Sequence, residues 1–272
     1  MNIKATVLSD NIACGGLAGE WGLSVYIEYG DSRVLLDTGA SALFLENASK
    51  LGLDVAAIDA AALSHAHYDH ADGMAAFFKA NSHAKFWLRG NTKCYKKEKG
   101  RRGYKYIGVP EKITEKYSSR IAFAEGDVQI MPGVTLVPHK TAGLFAVGEK
   151  NKMYVRRGRR YFADDFAHEQ SVVFDTPEGL VVFNSCCHGG ADVVIKEIAE
   201  TFPDKRVKAL IGGFHLYDKS EAEVRALAER IRETGIEKVY TGHCTGEKAF
   251  AILREELGDI AGQLSVGLVM EF

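Results

Sequence analysis

The most informative segment of this sequence is Ser64-His65-Ala66-His67-Tyr68-Asp69-His70, which directly follows an apolar run that predicts a buried strand. His65 and His67 are two residues apart. On extended backbone such side chains point to the same side, so both imidazoles can reach one ion. Asp69 and His70 follow at the predicted start of a helix, where a turn can bring them toward the same cavity. A site that combines imidazole with carboxylate oxygen suits zinc, iron or manganese. The alternative is a histidine-rich turn exposed to solvent, which fits poorly between two strongly apolar segments.

The segments on either side of this stretch alternate between strands and helices. Strands are predicted over 1–10, 23–29, 33–37, 60–63, 85–88, 171–175, 180–184, 208–211, 238–240 and 263–272. Helices are predicted over 41–51, 69–79, 192–202, 221–233 and 246–257. Two β-sheets packed together with helices outside satisfy this pattern. Because no linker rich in Pro, Gly or Ser divides the chain, residues 1–272 are predicted to form a single α/β domain.

Composition narrows the functional classes. Thirty-four Lys and Arg residues balance thirty-six Asp and Glu residues, and this net charge of −2 predicts no general affinity for nucleic acid or an anionic membrane. The number of cysteines, five, is odd, and none of them has a CxxC spacing. A disulfide framework is therefore not expected, and a reducing cytoplasm is. The first residues predict a strand rather than a signal peptide, and no apolar run is long enough to cross a bilayer.

A basic insertion near residues 90–120 differs in composition from the rest. Seven cations alternate there with Tyr95, Tyr104 and Tyr106; they are Lys93, Lys96, Lys97, Lys99, Arg101, Arg102 and Lys105. One interpretation is a solvated surface segment. The other is a flap that closes over an anionic substrate beside the metals, with Arg101 and Arg102 among its contacts. A second basic run at 156–161 offers the same chemistry.

Several motifs carry a resemblance to a known family. Ser-His-Ala-His-Tyr-Asp-His-Ala-Asp-Gly at 64–73 resembles the HxHxDH signature of the metallo-β-lactamase superfamily, and Val-Leu-Leu-Asp-Thr-Gly at 34–39 is similar to the strand and turn that precede it. Matches to a subfamily labelled 7,8-dihydropterin-6-methyl-4-(β-D-ribofuranosyl)aminobenzene-5′-phosphate synthase-like lie at 20–24, 47–48, 184–190, 212–216 and 242–246. The resemblance implies an αββα four-layer sandwich with metals at one edge between the sheets.

The resemblance also implies two metal positions. The first is formed by His65, His67 and a later histidine, which we assign to His188. The second is formed by Asp69, His70 and His243. The local sequence agrees, because His188 follows an apolar strand and precedes Gly189-Gly190, and His243 ends a strand. We expect one or two divalent ions, with zinc favoured over iron or manganese.

Other polar residues have less certain roles in this scheme. His215 is expected in the active site as a substrate contact, a proton donor to the leaving group, or a support for a ligand. Asp37 is expected to accept a hydrogen bond from a ligating imidazole. His168 either approaches the site or lies in an exposed loop. His83 and His139 are interpreted as structural or surface residues.

Cysteine marks a departure from the family pattern. Many members place a bridging aspartate after the strand that here ends in Asn184-Ser185-Cys186-Cys187. The cysteine pair can bridge through sulfur, the second metal position can be weak, or the residues can be ordinary buried thiols.

These features favour hydrolysis. A metal lowers the pKa of bound water toward ~7, which gives hydroxide without a protein nucleophile, and Asp69 would orient it. Neither a Gly-x-Ser-x-Gly elbow nor a P-loop is present. The basic segments favour a small anionic substrate, and the leading hypothesis is a metal-dependent hydrolase of a small phosphodiester. The alternatives are a synthase in pterin-type cofactor biosynthesis, which the subfamily label implies, and a non-catalytic protein that binds a ligand through its metal.

Overall fold

The computed structural model describes residues 1–98, 100 and 102–272, so Lys99 and Arg101 of the basic insertion lie outside the described residues. Its strands, in chain order, are β1 (Ile3–Ser9), β2 (Ser24–Tyr29), β3 (Ser32–Leu36), β4 (Ala60–Ala62), β5 (Lys85–Leu88), β6 (Cys94–Lys96), β7 (Lys105–Tyr106), β8 (Ile121–Phe123), β9 (Val128–Met131), β10 (Val134–Pro138), β11 (Met153–Arg157), β12 (Arg160–Ala163), β13 (Gln170–Thr176), β14 (Gly179–Phe183), β15 (Val207–Ile211), β16 (Lys238–Thr241), β17 (Ala261–Gln263) and β18 (Val269–Glu271). Its α-helices are α1 (Leu43–Lys50), α2 (Tyr68–Ala71), α3 (Met74–Ala80), α4 (Ile113–Lys116), α5 (Phe145–Lys150), α6 (Ala191–Thr201), α7 (Glu221–Glu233) and α8 (Glu247–Leu257).

Most strands form two mixed sheets. One has the order β18-β1-β2-β3-β4-β5-β8 and the other β17-β16-β15-β14-β13-β10-β9. In the first sheet, β3, β4, β5 and β8 are parallel. In the second, β14 to β17 are parallel, and α6, α7 and α8 provide the crossovers between them. The carboxyl ends of these parallel strands carry the loops that build the site.

Alternation along the strands creates four layers. In β3, Val34 and Leu36 belong to a core between the sheets, whereas Leu35 packs in a second core with Phe44 of α1 and Phe77 of α3. The other sheet repeats this arrangement with Val181 and Phe183 of β14 facing inward and Val182 facing outward toward α6, α7 and α8. Successive side chains on a strand point to opposite faces, so each sheet contacts the other sheet and a helix layer. The predicted αββα sandwich is confirmed.

Helix α7 has the predicted bounds because the two features that define it, a capping box and an apolar face, lie within or next to the helix itself. The Ser220 side chain accepts a hydrogen bond from the Glu223 N–H, and the Glu223 side chain accepts one from the Ser220 N–H, which forms a capping box. Its buried residues recur at one helical face; they are Val224, Leu227, Ala228 and Ile231.

Two predicted elements are divided in the structure. The predicted helix over 69–79 is two helices, α2 and α3, separated at Asp72-Gly73. A side chain at Gly73 would collide with the carbonyl oxygens of Thr38 and Ser41, so this point is fixed by tertiary packing. The predicted closing strand over 263–272 is β17 and β18, which pair with different sheets because a turn at Gly267, with φ of 86°, carries the chain between them.

The described residues of the basic insertion include two strands that belong to a sheet, and this part of it is not a solvated loop. A third sheet has the order β12-β11-β6-β7, which joins both basic runs. Cys94 and Tyr95 of β6 are buried, and the Tyr104 ring stacks on Tyr161 with 3.9 Å between centroids. We name the segment 93–107 the basic arm. In the part of the chain that the structure describes, no helix is long and apolar enough to span a bilayer.

Candidate metal centre

The predicted site residues meet at one edge of the sandwich. The loops that follow β3, β4, β14, β15 and β16 converge there, at the carboxyl ends of the parallel strands. Each of the seven predicted site residues is at most 8% exposed; they are His65, His67, Asp69, His70, His188, His215 and His243. Buried polar groups are costly unless they form hydrogen bonds, pair with an opposite charge or bind a metal, so each of these seven needs such a partner.

Backbone strain is concentrated in these loops. Asp37, Cys187, His215 and His243 all have left-handed backbone, with φ between 46° and 57°. Such conformations are costly for non-glycine residues and persist where surrounding contacts impose them. Here backbone hydrogen bonds connect the loops: the Gly213 N–H donates to the Ser185 carbonyl at 2.7 Å, and the Leu216 N–H donates to the Cys244 carbonyl at 2.9 Å.

His65, His67 and His188 form the first cluster. One ring nitrogen from each lies within 4.8 Å of the other two. Nε2 of His65, Nε2 of His67 and both ring nitrogens of His188 are buried with no hydrogen-bond partner among the described residues. Leaving such a group unpaired costs about 1–3 kcal/mol. Burial, reinforced by neighbouring imidazoles, holds the pKa of His65 and of His188 well below the usual value. The neutral rings that result are the form that binds metal.

Asp69, His70 and His243 form the second cluster. Asp69 Oδ1 lies 4.0 Å from Nε2 of His70, and its Oδ2 lies 3.5 Å from Nε2 of His243. Trp21 donates to Oδ2 of Asp69 at 2.9 Å, which fixes the carboxylate. Burial acts to raise the pKa of Asp69, but His70 and His243 outweigh it and lower that pKa. The carboxylate is therefore ionised at neutral pH, as a metal ligand must be.

The outer nitrogens of three rings are fixed by the surrounding chain. Nδ1 of His65 contacts Ser64 Oγ at 2.9 Å, Nδ1 of His70 contacts Asp37 Oδ2 at 2.8 Å, and Nδ1 of His243 contacts Asn11 Oδ1 at 3.2 Å. In each ring Nε2 is left facing the cluster. This arrangement, with one nitrogen held and the other directed inward, is typical of metal-ligating histidines, and a divalent ion fits it. Asp37 has the role that the sequence predicted for it.

Cys186 lies between the two clusters. Its Sγ is 3.4 Å from Nε2 of His70 and 3.4 Å from Sγ of Cys244. It also belongs to candidate ligand groups with His65 on one side and with His188 and His215 on the other. Burial raises the pKa of the Cys186 thiol, so a nearby cation would be needed to hold it as a thiolate. Its position places sulfur next to both clusters, and all five cysteines are free thiols.

His168 is buried beside the first cluster rather than in an exposed loop. Its Nδ1 accepts the N–H of Ala66, the residue between the two leading histidines, at 3.1 Å. Its Nε2 lies 3.1 Å from Asp164 Oδ2 and 3.5 Å from Cys94 Sγ. Sequence reasoning missed both partners: Cys94 lies 74 residues from His168, and Asp164 lies only four residues from it but belongs to no motif.

His139 is structural, as predicted, but its surroundings were not foreseen. Its Nε2 lies 2.8 Å from Glu169 Oε1 and its Nδ1 lies 2.8 Å from Glu197 Oε2. Burial alone would lower the pKa of His139, but the two carboxylates raise it to about 10. Glu169 also accepts the backbone N–H of His188 at 3.3 Å, so this cluster supports the loop that carries His188. His83 is exposed.

A cavity of about 460 Å³ opens onto both clusters. Its walls include Trp21, Tyr68 and Tyr217 and four lysines, which are Lys96, Lys97, Lys105 and Lys152. The basic arm therefore borders the candidate centre, and the Tyr68 N–H donates to the Ile107 carbonyl at 2.9 Å to hold it there. Arg102 is exposed and does not line this cavity, and Arg101 lies outside the described residues.

Comparison with known proteins decides the family. The metallo-beta-lactamase superfamily model matches residues 22–150. Tm1679, whose solved structure is described as a metal-dependent hydrolase of the beta-lactamase superfamily, is 33% identical, and the match covers 99% of each chain with a TM-score of 0.84. The chain belongs to the metallo-beta-lactamase superfamily. Proteins of this superfamily bind divalent metals, and the clusters described above supply donor groups for them.

Two further proteins that are similar to this chain carry different names. The 7,8-dihydropterin-6-methyl-4-(beta-D-ribofuranosyl)-aminobenzene-5'-phosphate synthase of Methanocaldococcus jannaschii is 28% identical, over all of this chain and 97% of the relative. Zn(2+)-bound PqqB from Methylobacterium extorquens is 11% identical, covers 98% of this chain and 99% of its own, and has a TM-score of 0.58. The second likeness shows the fold alone.

Proposed function

We propose that this protein is a metal-dependent hydrolase of a small phosphodiester and holds one or two divalent ions, with zinc favoured. In this proposal the first ion is held by His65, His67 and His188, and the second by Asp69, His70 and His243. Cys186 lies between them. The observation that carries the proposal is the presence of four lysines in the same cavity as the unpartnered imidazoles.

The ion and the chain have separate tasks. A divalent ion held by these residues lowers the pKa of bound water and polarises a phosphoryl oxygen. Asp69, fixed by the Trp21 N–H, orients the attacking water through its remaining carboxylate oxygen. His215 lines the cavity and has both ring nitrogens buried without a hydrogen-bond partner in the described part of the chain. It is placed to give a proton to the leaving oxygen.

The lysines favour a phosphate over a carboxylic ester or a lactam. Lys96, Lys97, Lys105 and Lys152 line the cavity, and Lys105 lies 3.5 Å from Glu98. Ammonium groups donate charge-assisted hydrogen bonds to phosphate oxygens, whereas a neutral ester gains little from such a wall. A substrate of this class therefore gains binding energy beyond that from the ion.

One experiment tests the reaction class. The metal-loaded protein is assayed against phosphodiesters, phosphomonoesters, carboxylic esters and lactones, beside a Lys97→Ala/Lys105→Ala variant. We expect phosphodiesters to be hydrolysed fastest, and the variant to raise KM for them by roughly tenfold while a neutral ester changes little. Faster turnover of lactones, or equal losses on charged and neutral substrates, would contradict the proposal.

A synthase is the second candidate function, favoured by the relative from Methanocaldococcus jannaschii. It predicts no product from one substrate alone and a coupled product from a dihydropterin precursor with a ribosyl phosphate donor. Product analysis by mass spectrometry with single and paired substrates separates this reaction from hydrolysis.

A further inference from the structure

Two cavities share residues of the candidate centre in their walls. The second cavity has a volume of about 320 Å³, and His188 and His215 line it as well as the first. The two rings lie 4.5 Å apart between centroids, and all four of their nitrogens are buried without a hydrogen-bond partner in the described chain. A group bound against these two rings would therefore border both cavities.

The two cavities differ in chemistry. The first has the lysine wall described above. The second is bordered by apolar side chains from α5, α7 and the loop after β15; they are Val147, Phe214, Leu216, Ala226 and Leu227. One cavity suits an anionic group and the other suits an apolar group.

The charged side chains around the second cavity are already paired. Lys150 lies 3.2 Å from Glu223, Lys219 lies 2.7 Å from Asp218, and Arg230 lies 2.9 Å from Asp192. Each cation that the structure describes in the wall of this cavity thus has a carboxylate of its own. The cavity offers no surplus charge to a ligand, in contrast to the lysine wall.

We propose that the substrate is an asymmetric phosphodiester whose anionic arm lies in the lysine cavity and whose uncharged arm lies in the second cavity. The inference rests on the proposed hydrolase function and names its substrate class. Water forms a new bond to phosphorus, and the ester bond to the uncharged arm breaks. His215 gives its proton to the departing oxygen and regains one from the attacking water. The products are the phosphomonoester of the anionic arm and an uncharged alcohol.

Two diesters test the second cavity. Benzyl and methyl diesters of phosphoglycolate share the same carboxylate arm and differ only in the size of the uncharged arm. Ala226→Trp narrows the second cavity from an exposed position of α7, and Val147→Trp narrows it from α5. Ala251→Trp is the matched control, because Ala251 is an exposed helical alanine that borders neither cavity.

We expect Ala226→Trp and Val147→Trp to lower kcat/KM for the benzyl diester by about tenfold and for the methyl diester by less than about twofold. Calorimetry with the nonhydrolysable benzyl phosphonate should show the same loss of affinity without turnover. If the wild type hydrolyses both diesters but the narrowed variants match Ala251→Trp, the two-cavity inference is wrong and the hydrolase proposal stands. If the wild type hydrolyses neither diester nor any other phosphodiester, the proposed function is wrong and the inference falls with it.

Discussion

His139 and His188 are buried close together yet have opposite surroundings. The His139 side chain is 3% exposed and has a carboxylate oxygen 2.8 Å from each ring nitrogen. The contact at Nδ1 is a hydrogen bond to Glu197, whereas the contact at Nε2 is an ion pair with Glu169 that lacks hydrogen-bond geometry. His188 is 6% exposed, and neither ring nitrogen has a hydrogen-bond partner in the described chain. Burial disfavours the imidazolium in both cases, but two carboxylates raise the pKa of His139 to about 10, whereas burial and other imidazoles hold that of His188 well below its usual value. The chain stabilises the imidazolium of His139 with its own carboxylates and provides no such partner for His188.

The largest effect should come from removing a ligand of the first cluster. His67→Ala is expected to lose bound metal and to lower kcat by more than about 100-fold while the fold is retained, because outer contacts to such ligands alone are worth about 10- to 100-fold. Elemental analysis and kinetics measure both quantities. His83→Ala, at an exposed histidine, is the matched control. Unchanged metal content in His67→Ala would show that the first cluster is assigned wrongly.

A stability experiment compares the two histidines directly. In metal-free protein, His139→Ala leaves Glu169 and Glu197 without their cation, which should lower the free energy of unfolding by about 3 kcal/mol. His188→Ala breaks no side-chain hydrogen bond and should cost less than half as much. Urea denaturation in the presence of a chelator measures both. Equal losses would remove the distinction between the two histidines.

The pH dependence gives a smaller effect with a definite sign. The pKa of His139 is raised to about 10 in the folded protein, above roughly 6.5 in the unfolded chain, so its stabilisation is fully present below pH ~6.5 and is lost as the pH rises through about 10. The difference in Tm between wild type and His139→Ala should therefore shrink from pH 7 to pH 10.5. A difference that stays constant over this range would mean that His139 is not charged in the folded protein.

The sequence could predict those residues of the candidate metal centre that local spacing or a family motif marks. His65 and His67 were predicted to share a face of extended backbone, but they lie in a bend after β4, where the His67 N–H donates to the His65 carbonyl at 3.0 Å. His188 and His243 each follow a predicted strand, and family motifs mark both. The partners of His139 could not be predicted, because Glu169 and Glu197 are 30 and 58 residues away and meet it only through the packing of β13 and α6. His188 is also far from His65 along the chain, but a family motif marks it, whereas no motif marks the partners of His139.

The basic arm shows a second limit. Strands β6 and β7 have three and two residues, too few for alternation to be visible, and β6 is completed by β11 far along the chain. Composition indicated a cationic segment near the substrate, and the cavity indeed has lysines of that segment in its wall. It could not indicate which cations line the cavity: four lysines do, whereas Arg102 is exposed and does not.

Whether the unpartnered histidines are metal ligands can be measured directly. The experiment is anomalous diffraction from crystals of the metal-loaded protein, recorded at the absorption edge of the bound ion. We predict one peak within ~2.0–2.2 Å of a ring nitrogen from each of His65, His67 and His188, and any second peak at the same distance from His70 and His243. A peak at the first cluster with the His188 ring turned away, or an ion bound only at other residues, would contradict the claim that these unpartnered histidines are metal ligands.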